Sequence, residues 1–463
     1  MNITVEDIRH LDQAASYNFN ALSSSTIKGI STDSRTVKPG ELFFAIRGDK
    51  LDGHNYVTNA LSAGAVCAVV DERADRRQYP EAPLVVVRNT TSALGGLANI
   101  YRRKFDIPVI AVAGSNGKTT TKEMITSVLG KKYSVLCTQG NLNNQIGVPQ
   151  TIFRLKPNHE IAVIEIGTNH FGELKCLCNV LQPTCGLITN IGREHLEFFK
   201  NLKGVSRAEG ELFRYLAQSG IGFVNVDDGY IVEQGKILKK KTSYGFTKPR
   251  CTIRGKYLGV DKNGWVKFEV SAKSKKKFAV QLSMPGKHAM QNALAAAAVG
   301  LSFGVSQKDI QHALKNFAPV GKRMERIDVG KVIILNDTYN ANPDSVLSAL
   351  ETIQGMECKG KKIVVLADML ELGTASKKEH ERIGKTIGSM GFEYLLTFGE
   401  NARNIYEKAD VKMKVHYDQK NILSEFAVEL ISDNDIILVK GSRGMKMEDV
   451  TTFLVERLGH KAG

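Results

Sequence analysis

Short apolar runs recur along the chain from Pro108 onward, at residues 109–113, 161–166, 187–191 and 223–226, with longer stretches of helical spacing between them. Runs with so little polarity read as strands buried on both faces. Their alternation with helical segments predicts a parallel α/β sheet. A second series of the same kind follows Phe317-Ala318-Pro319, at 332–335, 363–367, 394–398 and 436–439. Ahead of both, residues 1 to about 83 mix short strands and helices, including strand-like 41–46 and 65–70. Residues 84–88 read as one more strand and 92–105 as a helix. The expectation is an α/β chain of three domains. A small α/β domain spans 1–83, a central domain with a parallel sheet spans 84–318, and a Rossmann-like domain spans 319–463.

Polar residues gather where these strands end: Gly114 to Thr119, Glu165, Asp337, Asp368 and Lys440. Ligands of parallel sheets collect at the carboxyl ends of strands. Two such edges, one in each large domain, predict a site that closes between domains.

Composition adds limits rather than chemistry. With 463 residues, 42% hydrophobic and 24% charged, the chain reads as a soluble globular protein too long for one core. No apolar run reaches the roughly 18 residues of a membrane helix. The opening MNITVEDIRHLDQAA carries acids and no apolar signal core, which predicts no secretory leader. The seven cysteines form no CxxC pair, which points to reduced thiols and a cytoplasmic location. The net charge of +15 fits either nucleic acid or polyanionic small molecules. Much of the excess lies in Lys239 to Lys241 and in Lys273 with Lys275 to Lys277. Neither cluster has the aromatic interleaving of an RNA-binding sheet, so both read as solvated surface.

The strongest local signal is VIAVAGSNGKTTTKEM, residues 109–124. An apolar strand runs into Gly114, Ser115, Asn116, Gly117, Lys118, Thr119 and Thr120, and then into a helix. Glycines let backbone N–H groups curl around phosphate oxygens, and a helix N-terminus favours the same anion. Lys118 faces the outer phosphates and Thr119 can ligate Mg²⁺. This is a P-loop-type ATPase pattern, although Val112 stands where GxxxxGK[ST] has its first glycine. Glu165 ends an apolar strand, where a carboxylate is costly unless it meets a cation. His195 lies in a loop after the next strand, and GVSRAEGELF sets Glu209 and Glu211 at a helix start. Mg²⁺ takes oxygen ligands, commonly one or two carboxylates with substrate phosphates. Thr119 and Glu165 suit one such ion, and His195 with Glu209 a second.

Together these motifs resemble the Mur ligases, ATP-dependent enzymes that extend the peptide stem of the cell-wall precursor. The resemblance runs the length of the chain, in order: STDSRTVKPGELFFAIRG (31–48), GSNGKTTTKEM, GNLNNQIGVP, EIGTNHFGEL, NIGREHLE, PGKHAMQNALAA, GKRMERI, NDTYNANPDS, DMLELG and VKGSRGMKME. The last two, with NLNNQIGVP and NDTYNANPDS, look like the member that adds the terminal dipeptide. The DNPR and GKGHE motifs of the member adding the third residue are missing.

The resemblance implies ATP and Mg²⁺, with UDP-N-acetylmuramoyl-tripeptide and D-alanyl-D-alanine as substrates. The chain is further expected to be a monomer with no nucleic acid and no stable membrane insertion. By position, Ser31, Thr32, Asp33, Ser34 and Arg35 would hold the UDP end, and Lys118, Glu165 and His195 would be catalytic. Thr119, Glu165, His195 and Glu209 would hold metal. His288 and Asn292 would meet adenine, with Arg323 and Asp337 reaching ATP on closure. Asn141, Asn144, Asn340, Asn342, Asp368, Lys440, Ser442 and Arg443 would place the acceptor and the dipeptide. The family carries a lysine fourteen residues after the histidine of NIGxxHL, which becomes carbamoylated. Here that position is Glu209, a permanent carboxylate on a shorter arm.

Overall fold

Three sheets, one per domain, organise the computed structural model. It describes residues 3–462 apart from 12–14, 18–26, 49–50, 80–81, 262–263, 274 and 319–320. The expected boundary residue Pro319 lies outside the described residues. The first sheet comprises β1 (Ala15–Tyr17), β2 (Gly29–Ser31), β3 (Glu41–Phe44), β4 (Cys67–Asp71) and β5 (Leu84–Val87), in the order β1-β5-β4-β3-β2. β5 pairs in parallel with β4, Ala68 opposite Leu84. β5, which follows the expected division at residue 83, thus belongs to the first sheet. The fully buried run LVVV cannot leave its backbone groups unpaired, and β4 and β1 take them on either side.

The central sheet is built from β6 (Val109–Ala113), β7 (Val135–Cys137), β8 (Ile161–Glu165), β9 (Cys185–Ile188), β10 (Ile221–Asn225), β11 (Lys240–Gly245), β12 (Ile253–Val260), β13 (Trp265–Ala272) and β14 (Phe278–Pro285). Its order is β14-β13-β12-β11-β10-β9-β6-β8-β7. From β6 the chain first winds one way to β7 and β8, then the other way to β9 and β10. The crevice between the ends of β6 and β9 is thus a topological switch point, where open α/β sheets bind ligands. β12 to β14 extend the sheet as antiparallel hairpins. The lysine clusters lie exposed at the start of β11 and in the turn between β13 and β14.

The third sheet has β15 (Glu325–Val329), β16 (Val332–Asp337), β17 (Lys362–Ala367), β18 (Tyr394–Phe398), β19 (Met413–Tyr417) and β20 (Ile436–Lys440), ordered β15-β16-β20-β17-β18-β19. Only β15 is antiparallel to its neighbour. One buried cluster joins Leu196 and Phe199 of the central domain to Leu335, Val346, Met369 and Leu372 of the third. Among the described residues, no helix is long and apolar enough to cross a membrane.

Candidate active site

The strand β6 is buried throughout and delivers the chain to Gly114 beside the end of β9. Gly114 has φ +118°, and a Cβ there would lie 2.3 Å from Thr189 Oγ1. Gly117, with φ +77°, caps the helix Lys118–Leu129, and its Cβ would meet Asn292 Oδ1 at 2.8 Å. Only glycine fits either position. Cross-links to the segment after β9 fix the loop: Ser115 N donates to Asn190 O at 2.9 Å, and Thr189 Oγ1 to Asn116 O at 2.7 Å. The helix start points its free N–H groups, with Lys118, toward a cavity of about 490 Å³.

Carboxylates crowd the loop. Glu165, buried at the end of β8, accepts from Thr119 Oγ1 at 2.7 Å and from Asn143 Nδ2 at 2.8 Å. Glu194 stands 3.5 Å from Lys118 Nζ and 4.0 Å from His195 Nε2. Glu209 is wholly buried behind the loop, where its Oε2 accepts from Gly114 N at 2.7 Å. Burial and the neighbouring Glu194 push its carboxyl up from the usual range, with Lys118 opposing. Burial works to lower the Lys118 ammonium, yet Glu194, Glu209 and Glu165 hold it above its ordinary value. Oε1 of Glu194 and Oε1 of Glu209 are buried without a hydrogen-bond partner. Among the described residues, no three acidic, histidine or cysteine groups converge as a ready-made metal cluster. The set of Thr119, Glu165 and the free Glu194 oxygen fits a hard cation whose remaining ligands are phosphate oxygens and water.

The third domain forms the opposite wall. Asn342 Nδ2 donates to Asn116 Oδ1 at 2.9 Å, which joins that domain to the phosphate loop. Asp344 accepts from Arg193 N at 2.5 Å and from Arg193 Nη1 at 2.8 Å. His195 Nδ1 lies 2.7 Å from Glu371 Oε2, and that contact holds the Glu371 carboxyl below its usual range. Asp337 and Lys440, opposite one another on β16 and β20, pair at 2.6 Å. Arg323 and Arg443 both approach the ring of Tyr339.

Most of the expected residues share this one cavity. Ser115 to Thr120, Asn141, Glu165, His195, His288, Asn292, Arg323, Asp337, Asn340, Asn342, Lys440, Ser442 and Arg443 all line it. Several do not. Asn144 instead holds the turn before a helix, its Oδ1 accepting from Ile146 N and Gly147 N, while Asn143 faces Glu165. Asp368 is buried and accepts from Ala402 N at 2.7 Å, so Leu370, Glu371 and Leu372 reach the cavity from that segment. Glu209 ends the helix Leu202–Glu209 rather than starting one, and Gly210 separates it from Glu211. Ser31 to Arg35 lie in the first domain, away from the cavity lining. There Arg35 clasps Asp33 at 2.6 Å, a hydrogen bond that holds the carboxyl down to about 2. Thr32 Oγ1 accepts from Gln150 Nε2 at 2.8 Å, which ties the first domain to the second.

Glu194, Asn143, Tyr339 and Glu371 were not expected at the site. Glu194 carried a signal, because it neighbours His195 in the loop after a strand. The others depend on turns that no periodicity reveals.

Comparison with known proteins agrees with this geometry. Residues 26–102 match the description "Mur ligase family, catalytic domain", 112–300 "Mur ligase middle domain", and 322–443 "Mur ligase, glutamate ligase domain". The UDP-N-acetylmuramoyl-tripeptide–D-alanyl-D-alanine ligase of Bacillus subtilis (strain 168) is 34% identical over 440 residues, 93% of this chain and 94% of that protein. Crystal structure I of MurF from Acinetobacter baumannii superposes with TM-score 0.90 at 30% identity, covering 98% of both chains. MurF ligase from Thermotoga maritima in complex with ADP superposes with TM-score 0.83 at 26% identity, covering 94% of this chain and 99% of that one. With three domain matches in order and relatives aligned almost end to end, the chain belongs to the Mur ligase family.

Proposed function

We propose that this chain joins D-alanyl-D-alanine to UDP-N-acetylmuramoyl-tripeptide at the expense of ATP, as a cytoplasmic monomer that uses Mg²⁺. The observation that carries the reading is the hydrogen bond from Asn342 to Asn116, which brings the third domain against the phosphate loop over one shared cavity. The names of the full-length relatives support the choice of substrates.

The terminal carboxylate of the tripeptide attacks the γ-phosphorus of ATP, giving an acyl phosphate and ADP. The dipeptide amine then attacks the acyl carbon. The resulting tetrahedral intermediate loses a proton from nitrogen and expels phosphate. Lys118 offsets the repulsion between carboxylate and phosphate and stabilises charge on the transferring group. Thr119, Glu165, Glu194 and His195 would hold Mg²⁺, which supplies further charge neutralisation when bound. Asn143 keeps Glu165 oriented toward Thr119. Glu209 would stand in for the carbamoylated lysine of the family. Closure by the third domain excludes water that would hydrolyse the acyl phosphate. The remaining expected residues keep the roles given above, with Asn143 in place of Asn144 and Glu371 in place of Asp368.

Phosphate release from ATP should require both the UDP-linked tripeptide and D-alanyl-D-alanine, and should yield a product heavier by the dipeptide. Release that follows added DNA or RNA, with neither substrate present, would overturn the reading.

A further inference from the structure

Two guanidinium groups share one aromatic ring in the cavity. Cζ of Arg323 lies 3.6 Å from the Tyr339 ring centroid, and Cζ of Arg443 lies 5.1 Å from it. The three side chains come from separate segments: the connection before β15, the residues after β16, and the residues after β20. The backbone is bent to bring them together. Lys322 and Met324, on either side of Arg323, have φ of +62° and +49°, a region disfavoured for side chains other than glycine. Three hydrogen bonds hold that bend. Lys322 N donates to Glu325 Oε2 at 3.1 Å, Met324 N to Asp337 Oδ1 at 3.1 Å, and Tyr339 N to Lys322 O at 3.0 Å.

Charge separates these two arginines from the lysines around them. Lys118 stands beside Glu194, and Lys440 is paired with Asp337 at 2.6 Å. Among the described residues, no carboxylate pairs with the guanidinium of Arg323 or Arg443. A guanidinium resting on an aromatic face keeps its in-plane N–H donors free, because stacking uses the face and not the edge. Tyr339 therefore fixes two cations near each other against their mutual repulsion, with their forks unspent.

We infer that Tyr339 is a positioning residue that holds Arg323 and Arg443 together as a clamp for an oxyanion, an inference that rests on the ligase reading above. Of the oxyanions the substrates carry, two fall to third-domain residues in the reading above: the terminal phosphate of ATP and the C-terminal carboxylate of the incoming dipeptide. The chemistry is shared, and measurement distinguishes the source.

The test compares wild type with Tyr339→Phe, Tyr339→Leu and Arg443→Lys in steady-state kinetics, varying ATP, D-alanyl-D-alanine and the C-terminal amide of that dipeptide. Calorimetric titration with inorganic pyrophosphate supplies a readout independent of ligation. Tyr339→Phe keeps the ring and should leave each KM within about twofold, whereas Tyr339→Leu should raise one KM roughly five- to thirtyfold with a smaller change in kcat. Arg443→Lys keeps the charge, loses the flat fork and should raise the same KM. A rise for the dipeptide that vanishes with its amide assigns the clamp to the carboxylate. A rise for ATP, matched by weaker pyrophosphate binding, assigns it to the phosphate. Unchanged KM values in both Tyr339→Leu and Arg443→Lys, or a Phe variant as damaged as the Leu variant, would overturn the clamp. Should wild type fail to ligate the dipeptide, the ligase reading falls separately. Pyrophosphate then decides the clamp, and equal binding by wild type and Tyr339→Leu sinks it.

Discussion

Glu209 buries a carboxyl group with one oxygen satisfied by Gly114 N and the other by nothing. Leaving such a group unpaired costs on the order of 1–3 kcal/mol. The free oxygen beside Glu194 is what a metal-site role requires, and the hydrogen bond to Gly114 anchors the phosphate loop at the same time. Glu209→Gln keeps the shape and replaces the ionisable carboxyl with a neutral amide. Its expected effect is a rise of roughly tenfold or more in the Mg²⁺ concentration needed for half-maximal phosphate release. An unchanged Mg²⁺ titration would leave Glu209 as an anchor of the loop alone. At this scale the sequence was a partial guide. It offered asparagines at 141, 143 and 144, and it could not say which one faces Glu165. That choice is made by the turn before the helix Gly147–Ile152, where Ile146 N and Gly147 N both donate to Asn144 Oδ1. Asp368 shows the same limit from the other side. A carboxylate at a strand end reads as a ligand, yet this one is consumed by the Ala402 N–H.

The elements were more legible than the side chains they carry. Strands β6 and β18 fall where the apolar runs place them, because five-residue runs are too short for a buried helix. β9 begins at Cys185, two residues before the expected 187–191 run, because Cys185 and Gly186 pair with both β6 and β10 despite their weak apolar signal. The antiparallel hairpins β12 to β14 fall outside both expected strand series, since burial alternates along each strand instead of running continuously. The first turn of the helix Lys118–Leu129 depends on a glycine that the motif did identify. Gly117→Ala should cost about 1–2 kcal/mol for a left-handed alanine, and the added Cβ should also push Asn292 aside. The expected outcome is a lower thermal midpoint in calorimetry together with a raised KM for ATP. A variant with an unchanged KM for ATP would show that the Gly117–Asn292 approach plays no part in nucleotide binding.

Across the whole molecule, the contacts that join the central and third domains include Asn342 with Asn116, Asp344 with Arg193, and Glu371 with His195. Each spans two domains, so domain order alone could not reveal them. Asp344→Ala removes two hydrogen bonds to Arg193 and leaves the phosphate loop itself untouched. Losing a charge-assisted contact of this kind is worth about 1–2 kcal/mol, enough to shift a two-state equilibrium by roughly five- to thirtyfold toward the open form. A larger radius of gyration in small-angle scattering and a lower kcat are expected. An unchanged radius alongside an unchanged kcat would assign the closed arrangement to other contacts.

Those other contacts include the seam in which Leu196 and Phe199 share a buried cluster with Leu335, Val346, Met369 and Leu372. Apolar association draws its strength near room temperature from the entropy of water, and it weakens as water cools. The seam therefore gives the enzyme a thermal response separate from that of its chemistry. Cooling should therefore favour the open cleft, and turnover is expected to fall more steeply at low temperature than the activation enthalpy of phosphoryl transfer alone would require.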